Sequence, residues 1–205
     1  MADNLSIDRR TSALLVMDFQ TLIVDNYAAD AKALLNRTAK LIAAARTEGI
    51  PVIYVVVGFR SGHPEVSDRN ATFKGLKASG AFAAGVESTK IHPAVAPLAE
   101  EIVVTKHRVS AFAGTDLDLI LRANGIETLI LTGIITSGVV LSTLRHAADA
   151  DYRLLVVSDC CSDRDEETHR VLLEKVFPWQ ATITMAAGLE QAIGARRYSP
   201  ADRRD

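Results

Sequence analysis

The stretch Thr128-Leu-Ile-Leu-Thr-Gly-Ile-Ile-Thr-Ser-Gly-Val-Val-Leu-Ser-Thr143 decides how the rest of the chain is read. Its first five residues, Thr128 to Thr132, are an apolar run of strand type that passes directly into Gly133. Helical spacing begins near Ser137 and carries Val140, Leu141, Leu144, Ala147 and Ala148. A buried strand that turns through glycine into a helix leaves backbone N–H groups unpaired at the helix start. Such groups hold anions or a developing oxyanion, and in open α/β sheets ligands collect at such turns. The stretch is the expected floor of a site.

The same strand-then-helix grammar extends in both directions. Ala13–Met17, Pro51–Val57, Glu101–Thr105, Tyr152–Val157 and Ala181–Met185 read as further strands, short and apolar enough to be buried on both faces. Helices are expected from Asp30 to Gly49, after Thr115 as cap with Gly125 as stop, and from Asp165 to about Phe177, where Pro178 ends it. His92-Pro93 opens a helical turn through Leu98. Residues 59–92 show little periodicity and read as a long irregular loop, and residues 195–205 as a charged tail. Alternating strands and helices imply a parallel sheet covered on both faces, in a single domain of residues 1–205 with its core at about 11–187.

Composition narrows the function classes. The net charge of −2 gives no electrostatic reason to expect nucleic acid as a partner. No apolar run approaches the roughly 20 residues that span a bilayer, and the first residues form no signal segment, so a cytoplasmic protein with no membrane partner is expected. The two cysteines, Cys160 and Cys161, are adjacent and read as small buried residues rather than a disulfide or zinc cage.

In a parallel sheet the C-terminal strand ends form the working edge. The polar residues placed there are Asp18, Arg60, Lys106, Thr136, Ser137 and Asp159. A carboxylate and an ammonium on one rim would set each other's protonation. Arg60 is a candidate for gripping a carboxylate, Gln20 for contacting substrate, and Phe112 for walling the pocket. His63 and His92 each precede a proline, as loop residues do, and His107 and His146 stand alone.

Three motifs in order, Leu-Leu-Val-Met-Asp18-Phe-Gln20, Lys106…Ser110-Ala-Phe112…Thr115-Asp-Leu, and Gly133-Ile-Ile-Thr136-Ser-Gly-Val-Val140…Thr143, resemble the isochorismatase-like superfamily of hydrolases. Asp165-Glu-Glu-Thr-His169 is similar to the start of that family's next helix. The resemblance covers about residues 11 to 187. It implies an α/β fold of three layers, Rossmann-like, with a six-stranded parallel sheet, assembled as a homo-oligomer (dimer or tetramer). It also implies an Asp–Lys–Cys triad, with Asp18 and Lys106 in the first two positions and a non-proline cis peptide at Ile135–Thr136.

At the nucleophile's position this chain has Val139. Valine cannot form an acyl-enzyme. Ser137 and Ser142 are the nearest hydroxyls, and they read as a helix cap and a back-bonded helix residue. One branch of the superfamily works without the cysteine, hydrolysing a vinyl ether with the aspartate as general acid. The His usual in that branch is Ser137 here, and the Asp-x-His pattern of metal-binding members is absent from the loop after the second strand. The expectation is a hydrolase for a small anionic molecule. Asp18 and Lys106 are catalytic, and Gln20, Arg60, Phe112, Ile135, Thr136, Ser137 and Val139 contact substrate, with no metal and no cofactor. The alternative is a non-catalytic ligand-binding or scaffold relative.

Overall fold

The structure is a computed structural model that describes residue 5 and residues 7–194. The charged tail at 195–205 and the first residues of the N-terminal lead-in lie outside the described residues. Six strands form one parallel sheet: β1 (Ser12–Met17), β2 (Val52–Val57), β3 (Ile102–Lys106), β4 (Thr128–Ile134), β5 (Arg153–Ser162) and β6 (Thr182–Thr184). Their order is β3-β2-β1-β4-β5-β6. The chain starts in the middle with β1, builds outward to β3, then returns to β4 and builds the other way. The order therefore reverses between β1 and β4, and a crevice opens at their C-terminal ends.

Among the described residues there are seven α-helices: α1 (Thr21–Tyr27), α2 (Ala31–Thr47), α3 (Ala71–Ser79), α4 (Leu117–Ala123), α5 (Leu141–Asp149), α6 (Glu166–Val171) and α7 (Ala186–Gly194). β1 shows why both faces must be covered. Leu14 and Val16 join one apolar cluster with Leu34, Leu41, Leu189 and Ile193 of α2 and α7. Ala13, Leu15 and Met17 join the other with Leu117, Leu121 and Leu144 of α4 and α5. Every residue of β1 and β4 is buried, as strands sandwiched between helix layers must be. At the outer edge, β3 leaves Ile102 and Val103 exposed.

Several boundaries differ from the sequence reading for identifiable reasons. The Asp30 carboxylate caps α2 by accepting from the Ala33 N–H at 3.1 Å, and Gly49 turns out of that helix at φ 71°, so these ends lie where the spacing predicts them. The 59–92 segment is not irregular throughout, because Asn70 caps α3 and Gly80 ends it at φ 69°. α3 buries only Phe73, so it lacks the apolar stripe that would have announced it. The helices α1 and α7 were unforeseen; α7 is short, with Ala186, Leu189 and Ile193 as its buried side. The expected helix to Phe177 is α6 followed by a π-helical turn (Leu172–Val176) and a 3₁₀ turn (Phe177–Trp179) that contains Pro178.

β5 runs five residues beyond its expected end. Leu131 pairs with Val156 but Gly133 with Cys161, so the strand bulges against β4. Asp159 thus lies within β5 rather than on the rim, where its carboxylate accepts from the Ala186 N–H at 2.8 Å and holds the start of α7.

Gly133 lies between Met17 and Cys161 in the middle of the sheet. A Cβ there would sit 3.0 Å from the Met17 carbonyl oxygen and 3.1 Å from Val140 Cγ2. Backbone in a central strand cannot move aside, so Gly133→Ala is expected to destabilise the fold by about 1–3 kcal/mol. Urea unfolding would show this, and an unchanged midpoint would mean that the strand yields.

Candidate active site

β1 ends at Met17, and Asp18 turns the chain at φ 59°, a conformation that the short polar aspartate tolerates better than most residues. Its N–H still donates to the Val55 carbonyl at 2.8 Å, which ties the turn to β2. Lys106, the last residue of β3, reaches across β2 and places Nζ 2.9 Å from Asp18 Oδ2. The ammonium also donates to the Arg108 carbonyl at 3.2 Å. The side chains of Asp18 and Lys106 are only 7% and 4% exposed.

Asp18 Oδ1 is buried and has no hydrogen-bond partner among the described residues. Burial pushes the Asp18 carboxyl above the usual carboxylate range, and the Lys106 ammonium pulls it back by less. This carboxyl therefore keeps a proton where an exposed aspartate would have lost it.

The turn after β4 is a π-helical turn, Thr136–Val140, leading into α5. Thr136 and Val139 are buried, and Val139 packs into the apolar cluster under α4 and α5. Ile135 packs instead toward the α2 face. The cis peptide joins Ile134 and Ile135, one bond earlier than expected. Ser137 does not occupy the helix-cap position, which falls on Ile135; its N–H donates to Asp163 Oδ2 at 2.7 Å.

Three expected substrate contacts have other partners. Gln20 is buried, with Nε2 donating to the Val57 carbonyl at 2.9 Å and to the Thr89 carbonyl at 2.5 Å. Its Oε1 accepts from the Val57 N–H at 2.8 Å. It stitches the 87–92 segment to the strand ends beside Asp18, aided by the His92 N–H, which donates to the Phe19 carbonyl at 2.8 Å. Arg60 is 74% exposed and pairs with Glu65 at 2.6 Å, so its charge is met within its own loop. It lines a cleft of about 430 Å³ together with Val57, Phe59, Phe82, Thr89 and His107. Phe112 is a core ring rather than a pocket wall, stacked on His146 with centroids 4.7 Å apart.

The remaining histidines and cysteines have structural partners. His63 Nε2 lies 2.7 Å from the Ala81 carbonyl, His107 Nδ1 lies 2.6 Å from the Gly58 carbonyl, and the His92 ring accepts from the Ala94 N–H at 3.1 Å. Burial pushes the Cys160 thiol up to about 12 and raises Cys161 too, which removes the thiolate that nucleophilic chemistry needs. Among the described residues no three His, Cys, Asp or Glu side chains come together as a metal-holding group, and no helix is long and apolar enough to cross a membrane.

Sequence reasoning missed two residues of the site's frame, Asp163 and His169. Thr136 Oγ1 lies 2.8 Å from His169 Nδ1, beside the Ser137–Asp163 contact. The available signal was the Asp165–His169 stretch, read only as a helix start.

The comparisons agree with this fold. Residues 12–187 match the model of the isochorismatase domain. The isochorismatase family protein YecD of Escherichia coli O157:H7, itself uncharacterised, is 33% identical over 194 residues, covering 93% of this chain and 99% of YecD. The maleamate amidohydrolase of Pseudomonas putida is 30% identical over 168 residues, covering 80% of this chain and 78% of the relative. The solved structure of an isochorismatase family protein from Burkholderia thailandensis superimposes with a TM-score of 0.76 at 31% identity, covering 93% of this chain and 98% of that one. The chain belongs to the isochorismatase family of hydrolases.

Proposed function

We propose that this chain hydrolyses a small anionic molecule by acid/base catalysis at Asp18, with no covalent cysteine step. The observation that carries this reading is the buried Asp18–Lys106 pair, with Asp18 Oδ1 left without a partner among the described residues. Protonated Asp18 offers an acid, and it leaves the Lys106 ammonium as an unmatched positive charge that attracts an anion.

A carboxylate-bearing vinyl ether suits these groups. Asp18 gives its proton to the terminal vinyl carbon, the π electrons form the new C–H bond, and the ether oxygen shares the resulting positive charge. Lys106 steadies the carboxylate so formed. Water adds to the cationic carbon and returns a proton to Asp18. The hemiketal then breaks its C–O bond as Asp18 gives its proton to the departing ether oxygen and takes up the proton of the hemiketal hydroxyl, giving an alcohol and a carbonyl compound.

The test is incubation of the purified protein with carboxylate-bearing vinyl ethers, isochorismate among them, and with maleamate, followed by mass spectrometry. Multiple turnovers of a vinyl ether with maleamate intact is the expected result. Hydrolysis of maleamate by the unaltered protein would overturn the mechanism. Binding with no turnover of any of them would favour a ligand-binding or scaffold relative, the reading to which the buried Val139 side chain lends weight.

Val139→Cys probes the same machinery from the other side. Beside an intact Asp18–Lys106 pair, the thiol is expected to raise ammonia release from maleamate at least about tenfold over the unaltered protein. The smaller side chain should cost stability by only about 1 kcal/mol. A folded variant with no gain would show that the turn cannot present a nucleophile.

A further inference from the structure

β3 closes one side of the sheet, and among the described residues it pairs only with β2. Successive strand residues point to opposite faces. Ile102 and Val103 are 39% and 44% exposed, and Thr105 is exposed as well. Both faces are open at once, so the edge itself meets solvent. Proteins that stay single blunt such an edge with proline, a bulge or outward charges. β3 has none of these. Ile102 to Thr105 is uncharged, the register against β2 is unbroken from Ile102 to Lys106, and Lys106 turns its charge inward to Asp18.

The backbone fixes which groups face outward. The Gly58 N–H donates to the Lys106 carbonyl at 3.1 Å, so Lys106 points its peptide groups at β2. Alternation along the strand then turns those of Ile102 and Val104 inward and those of Val103 and Thr105 outward. The N–H and C=O of Val103 and Thr105 thus stand in line for a further strand.

We infer that β3 pairs antiparallel with β3 of a second copy of this chain. An antiparallel pair bonds outward residue to outward residue. The register that covers the whole strand sets Val103 opposite the partner's Thr105, with the two-fold axis at Val104. The two Val103–Thr105 pairs exchange their hydrogen bonds, and two sheets become one. Just beyond the strand ends, the same register brings Glu100 opposite the partner's Arg108, twice by symmetry. Neither charge has an ion-pair partner among the described residues. Glu100 is exposed, and Arg46 pairs with Glu101 instead. The Arg108 guanidinium meets only carbonyls, those of His107 at 2.6 Å and Glu65 at 3.1 Å. This complementarity makes a second copy a better occupant than an unrelated strand. The pairing also flanks, on both sides, the strand that ends at Lys106.

Sedimentation velocity of the full chain from about 1 to about 100 µM should show monomer passing into dimer, because two short strands make a small interface. Over that range amide exchange at Val103 and Thr105 should slow at least about tenfold. Val103→Pro should keep the fold, since that N–H points away from β2, and should leave the chain monomeric throughout. Glu100→Arg should weaken the dimer at least about tenfold by setting like charges opposite each other. Arg108→Glu should do the same, and the two together should restore association. If Val103→Pro does not fold, the charge series decides. The inference is overturned by a chain that stays monomeric, by a dimer in which the Val103 and Thr105 amides exchange as fast as in the monomer, or by a double variant that associates no better than the single ones. No substrate enters these measurements, so their outcome stands apart from the turnover screen.

Discussion

Asp18→Asn should lower vinyl-ether turnover by about 10²–10⁴-fold, the range that a positioned general acid contributes. The variant keeps the size and most of the hydrogen bonding of the side chain but has no acidic proton to give. The pH dependence follows from the direction of the shift. Burial raises the Asp18 carboxyl above the usual carboxylate range, and the acid is active only when protonated. The unaltered enzyme's kcat/KM should hold below that raised value and fall as pH rises through it. In Asp18→Asn the residual rate should show no such limb. Stability runs the same way. Because the folded pKa exceeds the unfolded one, the contribution of this group is complete below the unfolded value and is lost as pH rises through the folded one. A variant that turned over at the normal rate would end the acid mechanism.

Lys106→Met should give the largest loss of stability, about 3–5 kcal/mol at pH 8, because it strands a buried carboxylate. The Asp18 Oδ2 contact with Nζ disappears, and Oδ1 already lacks a partner among the described residues. The loss should shrink toward pH 5, where Asp18 can take up a proton instead of remaining charged. Asp18→Asn combined with Lys106→Met should recover part of the loss, since no buried charge remains. Urea unfolding at both pH values measures all of this. Equal losses at the two pH values would mean that Lys106 contributes by packing rather than by charge.

The residues at strand ends were legible because a strand end is a local event. The apolar run Leu14–Met17 stops at Asp18, and Ile102–Thr105 stops at Lys106, so the sheet's rim could be populated from the sequence. What each rim residue touches is not local. Gln20 meets Val57 and Thr89, 37 and 69 residues away, and an isolated glutamine beside a candidate acid gives no hint of that. Arg60 lines a cleft as a rim residue should, but its partner Glu65, although near, sits in a loop without a readable period and gives no sign of the pairing. Asp163 was hidden by the β5 bulge. Two residues of β4 advance against five of β5, and alternation of side chains cannot register such a slip. Val139 is a different case, because the expectation that it stands where relatives carry a nucleophile comes from the resemblance of the Gly133–Thr143 motif alone.

β3 is an outer strand with Ile102 and Val103 bare toward solvent, yet it carries one member of the ion pair. Edges of a sheet fray before its centre, so a chain with this layout can lose the ion pair while its fold survives. On warming, Lys106 should withdraw from Asp18 while β1 and β4 still protect their amides. The two halves of this ion pair should thus have unequal lifetimes, and under the proposed mechanism the thermal limit of turnover would be set by the sheet's margin rather than by its core.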